Sequence, residues 1–475
     1  MRGTYSLTAS IALLLLGQHA GLTAQNLLVH GGTVVTSEGS FEANVLVRAG
    51  VIAAVGRDLS AESGVRRIDA SGLLVLPGGV DPHVHLGGRW VDDYRTGSMA
   101  ALAGGITTIS NFASAGRGSD LTEVIDRQAA LIAQQAIADV ILHTTINDPE
   151  AHAPQMEALA STGQTSIKIF MNFGGFDPNA SAFLQMIAAA GDAGVLTMIH
   201  AEDASILANQ AAELEAQGRT SVAYQPEARP VLAEEVATMR AVAMAEQTGS
   251  PVYAVHVSSE RALRVAQAAR ARGLPFFIET RPIYLHLTRE RFDGPDAGLY
   301  VGQPPLREQS DQDALWEALA NGTIDVVGTD HVAYSREDKL DPSQTITNHR
   351  AGMNHLQMLR PLLFSDGVLA GRISVERFVE VTATNPAKLF GIFPEKGTIA
   401  VGSDADLVLW DPEETRTVRD QDMFSATGFS IYAGWEVTGW PVVTLRRGEV
   451  VFEGGEITGQ AGTGRLLERS RWEER

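Results

Sequence analysis

A (β/α)8 TIM barrel carrying a small β-sandwich domain formed by both chain ends is the α/β fold that this sequence predicts, and three observations predict it. Residues 78–391 alternate short apolar runs with Ala-rich helical patterns, and the two flanks carry β-branched runs punctuated by glycine. Eight candidate strands end near His85, Phe112, Thr145, Met171, His200, His256, Thr280 and Asp330. Apolar strands without alternation are what a parallel sheet buried on both faces requires, and eight strand–helix repeats is the count of a closed barrel. An open doubly wound sheet is the alternative, but no Gly-x-Gly-x-x-Gly follows an early strand.

The elements follow in chain order. Residues 1–24 read as a signal peptide: Arg2 precedes an apolar stretch over 7–16, then Gly17 and a small-residue site at Leu22-Thr23-Ala24. That stretch is shorter than the about twenty residues a bilayer span needs. A secreted or periplasmic protein with no membrane contact after processing is therefore expected, with a cytoplasmic protein as the alternative. Residues 25–77 hold strand-like runs at 28–35, 43–48, 51–55 and 73–76, and residues 392–456 hold more at 405–410, 442–445 and 449–453, so the sandwich draws on both ends. Within the barrel, helical patterns lie at 121–138, 183–193, 232–247 and 261–272, and residues 457–475 form a C-terminal tail.

Composition narrows the function. The 475 residues carry 37 Lys+Arg against 57 Asp+Glu, a net charge of −20, with 12 histidines and no cysteine. An acidic chain without a long basic cluster lacks the footprint of a nucleic-acid binder, which leaves a small-molecule substrate as the expected partner. Without thiolates, any metal must be held by His, Asp, Glu or something less usual. The only lysines are Lys168, Lys339, Lys388 and Lys396.

Catalytic residues of barrels sit at the C-terminal strand ends, and here those ends gather His83, His85, Lys168, His200, His256 and Asp330. His83 and His85 are two apart, so an extended strand puts both rings on one face, where one ion can take both. Taken singly, each histidine also suits plain core packing. Lys168, in Ile167-Lys168-Ile169-Phe170, faces a desolvation cost that favours the neutral amine. A neutral amine adds carbon dioxide to become N6-carboxylysine, whose two oxygens can bridge two divalent ions. A salt-bridged or snorkelling lysine is the plainer reading. Asp330 can bind a metal through one oxygen and carry a proton on the other, so it is the candidate general base and acid for attack on an amide carbonyl by a metal-bridging hydroxide.

The motifs carrying these residues resemble the cyclic amidohydrolases of the D-hydantoinase and dihydropyrimidinase group. They are Gly78-Gly79-Val80-Asp81-Pro82-His83-Val84-His85, Lys168-Ile169-Phe170-Met171, His200-Ala201-Glu202, His256-Val257-Ser258-Ser259, Pro304-Pro305-Leu306-Arg307, Gly328-Thr329-Asp330-His331 and Asn385-Pro386-Ala387-Lys388-Leu389-Phe390-Gly391. The resemblance implies that His83, His85 and Asp330 hold one zinc (or other divalent metal) ion, that His200 and His256 hold a second, and that carboxylated Lys168 bridges the two. It also implies a homotetramer and hydrolysis of a C–N bond in a cyclic amide or ureide.

Departures from the family pattern bear on the substrate. Phe173 stands where the group has a tyrosine that donates to the developing oxyanion. Ala351 falls where the group has a substrate-contacting asparagine, with Asn348 nearby, and Arg281 replaces a cysteine after Thr280. Phe173, Thr280, Arg281 and Asn348 are thus the candidate substrate contacts, Arg281 either binding an anionic group or forming a structural ion pair. Two rivals stand beside the cyclic-amide reading: an amidohydrolase of a linear or anionic amide, and a non-catalytic structural relative.

Overall fold

Eight parallel strands follow one another in sequence order around the middle of the chain: β1 (Gly79–Asp81), β2 (Ile106–Ser114), β3 (Asp139–Thr145), β4 (Ser166–Phe170), β5 (Leu196–His200), β6 (Val252–Ala254), β7 (Phe276–Thr280) and β8 (Val326–Val327). The computed structural model describes residues 26–60 and 64–472, so the predicted leader lies outside the described residues. Among the described residues no helix is long and apolar enough to cross a membrane.

The seam between β1 and β8 closes at the mouth. Their continuations, Val84–His85 and His331–Val332, pair in parallel. Below them Asp81 accepts from the Thr329 backbone N–H at 3.1 Å and from the Thr329 hydroxyl at 2.6 Å. Both edge strands break where the sequence suggested continuous ones. Pro82 has no N–H to give the ladder, and Asp330 turns to a left-handed φ of 49°. Strand β6 likewise ends before His256, whose φ is 43°. Non-glycine residues rarely adopt such φ values, and both of these carry candidate ligands into the mouth.

Helices cover the barrel wall. In Leu121–Gln135 the Asp120 carboxylate accepts from the Thr122 N–H at 2.8 Å, and Leu121, Val124, Ile125 and Ile132 form the buried stripe. This helix stops short of residue 138 because Ala136 is extended and β3 starts at Asp139.

Sheets from both chain ends form the second layer structure. Leu74–Pro77 pairs antiparallel with Leu407–Thr417 and parallel with Thr33–Thr36, within a seven-stranded sheet. A four-stranded sheet packs against it through Leu27, Val29, Val45, Val47, Val75, Leu407 and Leu409. Gly78 joins sandwich to barrel in a space without room for a side chain, since a Cβ there would lie 2.1 Å from the Thr107 hydroxyl. Beyond residue 457 the chain runs under the barrel, where Arg469 donates to the Leu142 carbonyl at 2.6 Å and Trp472 lies against Phe277.

One buried ion cluster ties the two parts together. Lys396 Nζ lies 2.7 Å from Asp139 at the start of β3, and 2.9 Å from both Asp404 and Asp406 at the edge of the sandwich. Burial alone would raise the Asp139 pKa, but Lys396 and Arg447 hold it below the usual carboxylate range, whereas Asp404 stays raised by burial. Asp139 is also the carboxylate of this cluster that a second cation, Arg447, engages. A depressed Asp139 pKa contributes stability above the ordinary value of 3.8 that is lost as pH falls through the folded-state value. Lys396→Met is expected to destabilise the fold by about 3 kcal/mol at neutral pH, by leaving buried carboxylates unpaired. The deficit should shrink below pH 4, as denaturant unfolding followed across pH would show.

Candidate active site

The strand ends converge on a cavity of about 690 Å³ whose floor is lined by His83, His85, Lys168, His200, His256 and Asp330. The structure thus brings all six expected residues together, from five different strands or their continuations. Their donor atoms fall into two sets. His83 Nε2 and His85 Nε2 lie 3.2 and 3.1 Å from Asp330 Oδ1. Across the floor, His200 Nδ1 and His256 Nε2 face each other at 2.9 Å.

Neighbours behind the floor decide which nitrogen carries the proton. His83 Nδ1 bonds to Glu279 Oε1 at 2.7 Å and His200 Nε2 to Glu202 Oε2 at 2.7 Å, so these two nitrogens donate N–H to carboxylates. Their other nitrogens are left as lone pairs aimed at the cavity, which is how a second carboxylate sets a metal-binding histidine. Arg229 holds Glu202 in turn, its Nε 3.0 Å from Oε1. Burial lowers the pKa of His83, His200 and His256, which keeps the rings neutral and able to donate to a cation.

Lys168 is 1% exposed, and among the described residues its Nζ has no hydrogen-bond partner. It lies 5.5 Å from the Phe112 ring and 5.2 Å from that of Phe170. Burial pushes its pKa down to about 7, so much of this amine is neutral near physiological pH. A buried, unpartnered amine beside two clusters of lone-pair donors fits a carboxylated lysine between two cations better than it fits a structural ammonium.

The expected substrate contacts are placed differently. Phe173 lines the cavity and is 56% exposed, its ring 5.3 Å from Phe170. Thr280 and Arg281 do not reach the cavity, since both are fully buried behind its wall. The Thr280 hydroxyl donates to the Val257 carbonyl at 2.9 Å. Arg281 Nη1 lies 3.2 Å from Asp330 Oδ2, and its Nε donates to the Thr329 carbonyl at 3.0 Å. Of the two expectations for Arg281 the geometry matches the ion pair: the guanidinium is engaged with the Asp330 carboxylate from behind. Although burial pushes Asp330 up, His83, Arg281 and His85 hold it well below the usual carboxylate range. Asn348 is exposed and outside the cavity, its N–H bonded to Thr345 Oγ1. The same loop supplies His349, Arg350, Ala351 and Gly352 to the wall instead.

Sequence reasoning gave no role to Glu202, Glu279, Arg89, Trp90, Gln303, Tyr334, His349 or Arg350. Glu202 was within reach of the same period-2 argument as His83 and His85, standing two residues after His200. The loop residues had no such signal.

Comparison with known proteins agrees with this geometry. The amidohydrolase family model matches residues 74–451. The chain is 35% identical over 462 residues to the D-hydantoinase of Ralstonia pickettii, covering 94% of this chain and all of that protein. The structure of dihydropyrimidinase from Brevibacillus agri superposes with a TM-score of 0.90 at 35% identity, over 94% of this chain and 99% of that one. D-hydantoinase from Thermus sp. gives 0.90 at 34% identity, with the same two coverages. With its barrel, its mixed-end sandwich and its histidine-rich floor matched over nearly the whole length, the chain belongs to the amidohydrolase family, in the hydantoinase and dihydropyrimidinase group.

Proposed function

We propose that this protein hydrolyses a C–N bond in a cyclic amide or ureide with the ring type of a hydantoin or dihydropyrimidine. The observation that carries the reading is the pairing of two lone-pair donor sets with the unpartnered Lys168 amine on one cavity floor. His83, His85 and Asp330 would hold one divalent cation, His200 and His256 another, with N6-carboxylated Lys168 joining them; when bound, such a pair polarises an amide carbonyl and lowers the pKa of water.

The remaining steps belong to the chain itself. Asp330 accepts a proton from the attacking water and passes it to the leaving ring nitrogen. Arg281 fixes the carboxylate orientation and favours its ionised form, so Asp330 begins each cycle as a base. Glu279 and Glu202 keep the lone pairs of His83 and His200 turned toward the cavity. Phe170, Phe173 and Trp90 give the substrate ring apolar walls. A homo-oligomer and export through the leader complete the reading and are open to light scattering and to mass measurement of the secreted chain.

Zinc-loaded protein assayed on hydantoin, 5-phenylhydantoin, dihydrouracil, allantoin and N-acyl amino acids tests the proposal. At least one ring should open with the stoichiometric appearance of the corresponding ring-opened amide acid. Turnover of linear amides alone would move the activity to another substrate class, and metal content below one equivalent with no turnover would revive a non-catalytic role.

A further inference from the structure

The mouth of the cavity carries a charge pattern that ring opening alone does not require. Besides its histidines, four side chains with ionisable groups of the Lys, Arg or Asp type line the cavity: Lys168 and Asp330 on its floor, Arg89 and Arg350 at its rim. Asp330 is already engaged by His83, His85 and Arg281. Among the described residues neither Arg89 nor Arg350 has a carboxylate within ion-pair distance, although many arginines of this acidic chain do, such as Arg219 with Glu227 and Arg272 with Glu246. Two carboxylates act near this rim without pairing to either arginine: Asp341, which feels the Arg350 charge and accepts from the Ser343 backbone N–H at 2.8 Å, and Asp338, which influences Tyr334 and whose Oδ2 accepts from the Ser335 hydroxyl at 2.8 Å.

Both arginines line the cavity together with aromatic residues that neighbour its floor. Trp90 lies 6.1 Å from the His85 ring, and the Arg89 guanidinium sits 4.2 Å over the Trp90 indole. Tyr334 packs edge-on against Trp90 at 5.2 Å, and the charges of both Arg89 and Arg350 act on its hydroxyl. On the other side, the Arg350 carbonyl accepts from Lys339 Nζ at 2.7 Å and its N–H donates to Gln344 Oε1 at 2.5 Å. Lys339, itself buried, bonds the Val301 and Gly352 carbonyls at 2.8 and 2.7 Å, so the backbone that presents Arg350 is anchored. A guanidinium is planar, always charged and matched to a carboxylate by paired N–H donors.

We infer that Arg89 and Arg350 form a carboxylate-recognition subsite, and that the preferred substrate is a cyclic amide or ureide bearing a carboxylate on a short side chain. This rests on the ring-opening reading above and adds to it the chemistry of the exocyclic group. A hydantoin with a carboxyethyl substituent has the required layout, its ring on the floor and its carboxylate at the rim. Addition of water across the ring C–N bond then yields an N-carbamoyl amino acid with two carboxylates.

The decisive comparison uses two compounds of nearly equal shape, 5-(2-carboxyethyl)hydantoin and 5-(2-carbamoylethyl)hydantoin. KM for the acid should be lower by about 10-fold or more, the scale of a charge-assisted hydrogen bond, and the gap should narrow as salt is raised. In the Arg89→Gln, Arg350→Gln double variant the two KM values should converge, with each single variant intermediate and circular dichroism reporting an intact fold. Equal KM values in the wild type, or an acid preference that survives both replacements, would overturn the subsite. If neither ring is opened, the ring-opening reading fails by itself, and calorimetric titration of the two compounds still reads the subsite: tighter binding of the acid that vanishes in the double variant supports it, and equal binding refutes it.

Discussion

Lys168→Ala should lower kcat/KM on any ring the wild type opens by about 10³-fold or more, since on the proposed reading it removes the group that would join two cations and forfeits several kcal/mol of charge stabilisation. Zinc retained after gel filtration should fall in parallel. Lys168→Arg is the sharper variant, because a guanidinium keeps the positive charge and much of the volume but does not add carbon dioxide. If the neutral amine is what matters, arginine is as damaging as alanine. Short carboxylates such as acetate or propionate should partly restore the alanine variant and leave the arginine variant inactive. Full metal content and near-normal activity in Lys168→Arg would remove the carboxylated lysine from the account.

Phe173→Tyr is expected to act in the opposite direction. The ring stands on the cavity wall, five residues after Lys168, at the position where the resemblance places a phenol that stabilises the developing oxyanion. A single donor of this kind is typically worth about 10²–10³ in kcat, so restoring it should raise kcat on simple hydantoins by an amount within that range. KM should change much less, because the hydrogen bond strengthens only as charge develops on the oxygen. No gain in kcat, with the variant folded and metal-loaded, would mean that another donor on the wall, such as Tyr334 or Asn147, already occupies that role.

The floor of the site was legible in the sequence because its geometry is local. His83 and His85 share a strand face by period alone, His200, His256 and Asp330 each close an apolar run, which is the position a barrel turns into its mouth, and Lys168 stands out as the one lysine inside such a run. Arg281 was harder, since a buried guanidinium and a substrate-binding one look alike in one dimension; only the approach of Asp330 Oδ2 separates them. Asn348 was hard to place for a related reason, a loop having no period to say which of several consecutive side chains turns inward, and the residues that line the cavity begin one position later at His349. Arg89 and Arg350 lie far apart in the chain and come to line the same cavity only through tertiary packing that involves Trp90, Tyr334 and Lys339. The strand ends before His256 and Asp330 were equally invisible, for they depend on the left-handed turns that aim these two residues, whereas the break after β1 could have been read from Pro82.

The scarcity of lysine has a practical side once burial is known. Lys168, Lys339 and Lys396 are all 2% exposed or less, which leaves Lys388 as the sole exposed side-chain amine. It sits on the short helix Asn385–Leu389, whose neighbours Leu389 and Phe390 pack with Leu467 into the underside of the barrel, opposite the cavity. An amine-reactive surface or dye would therefore take hold of the side chains at one point, and every molecule fixed there would present its open mouth to the solution.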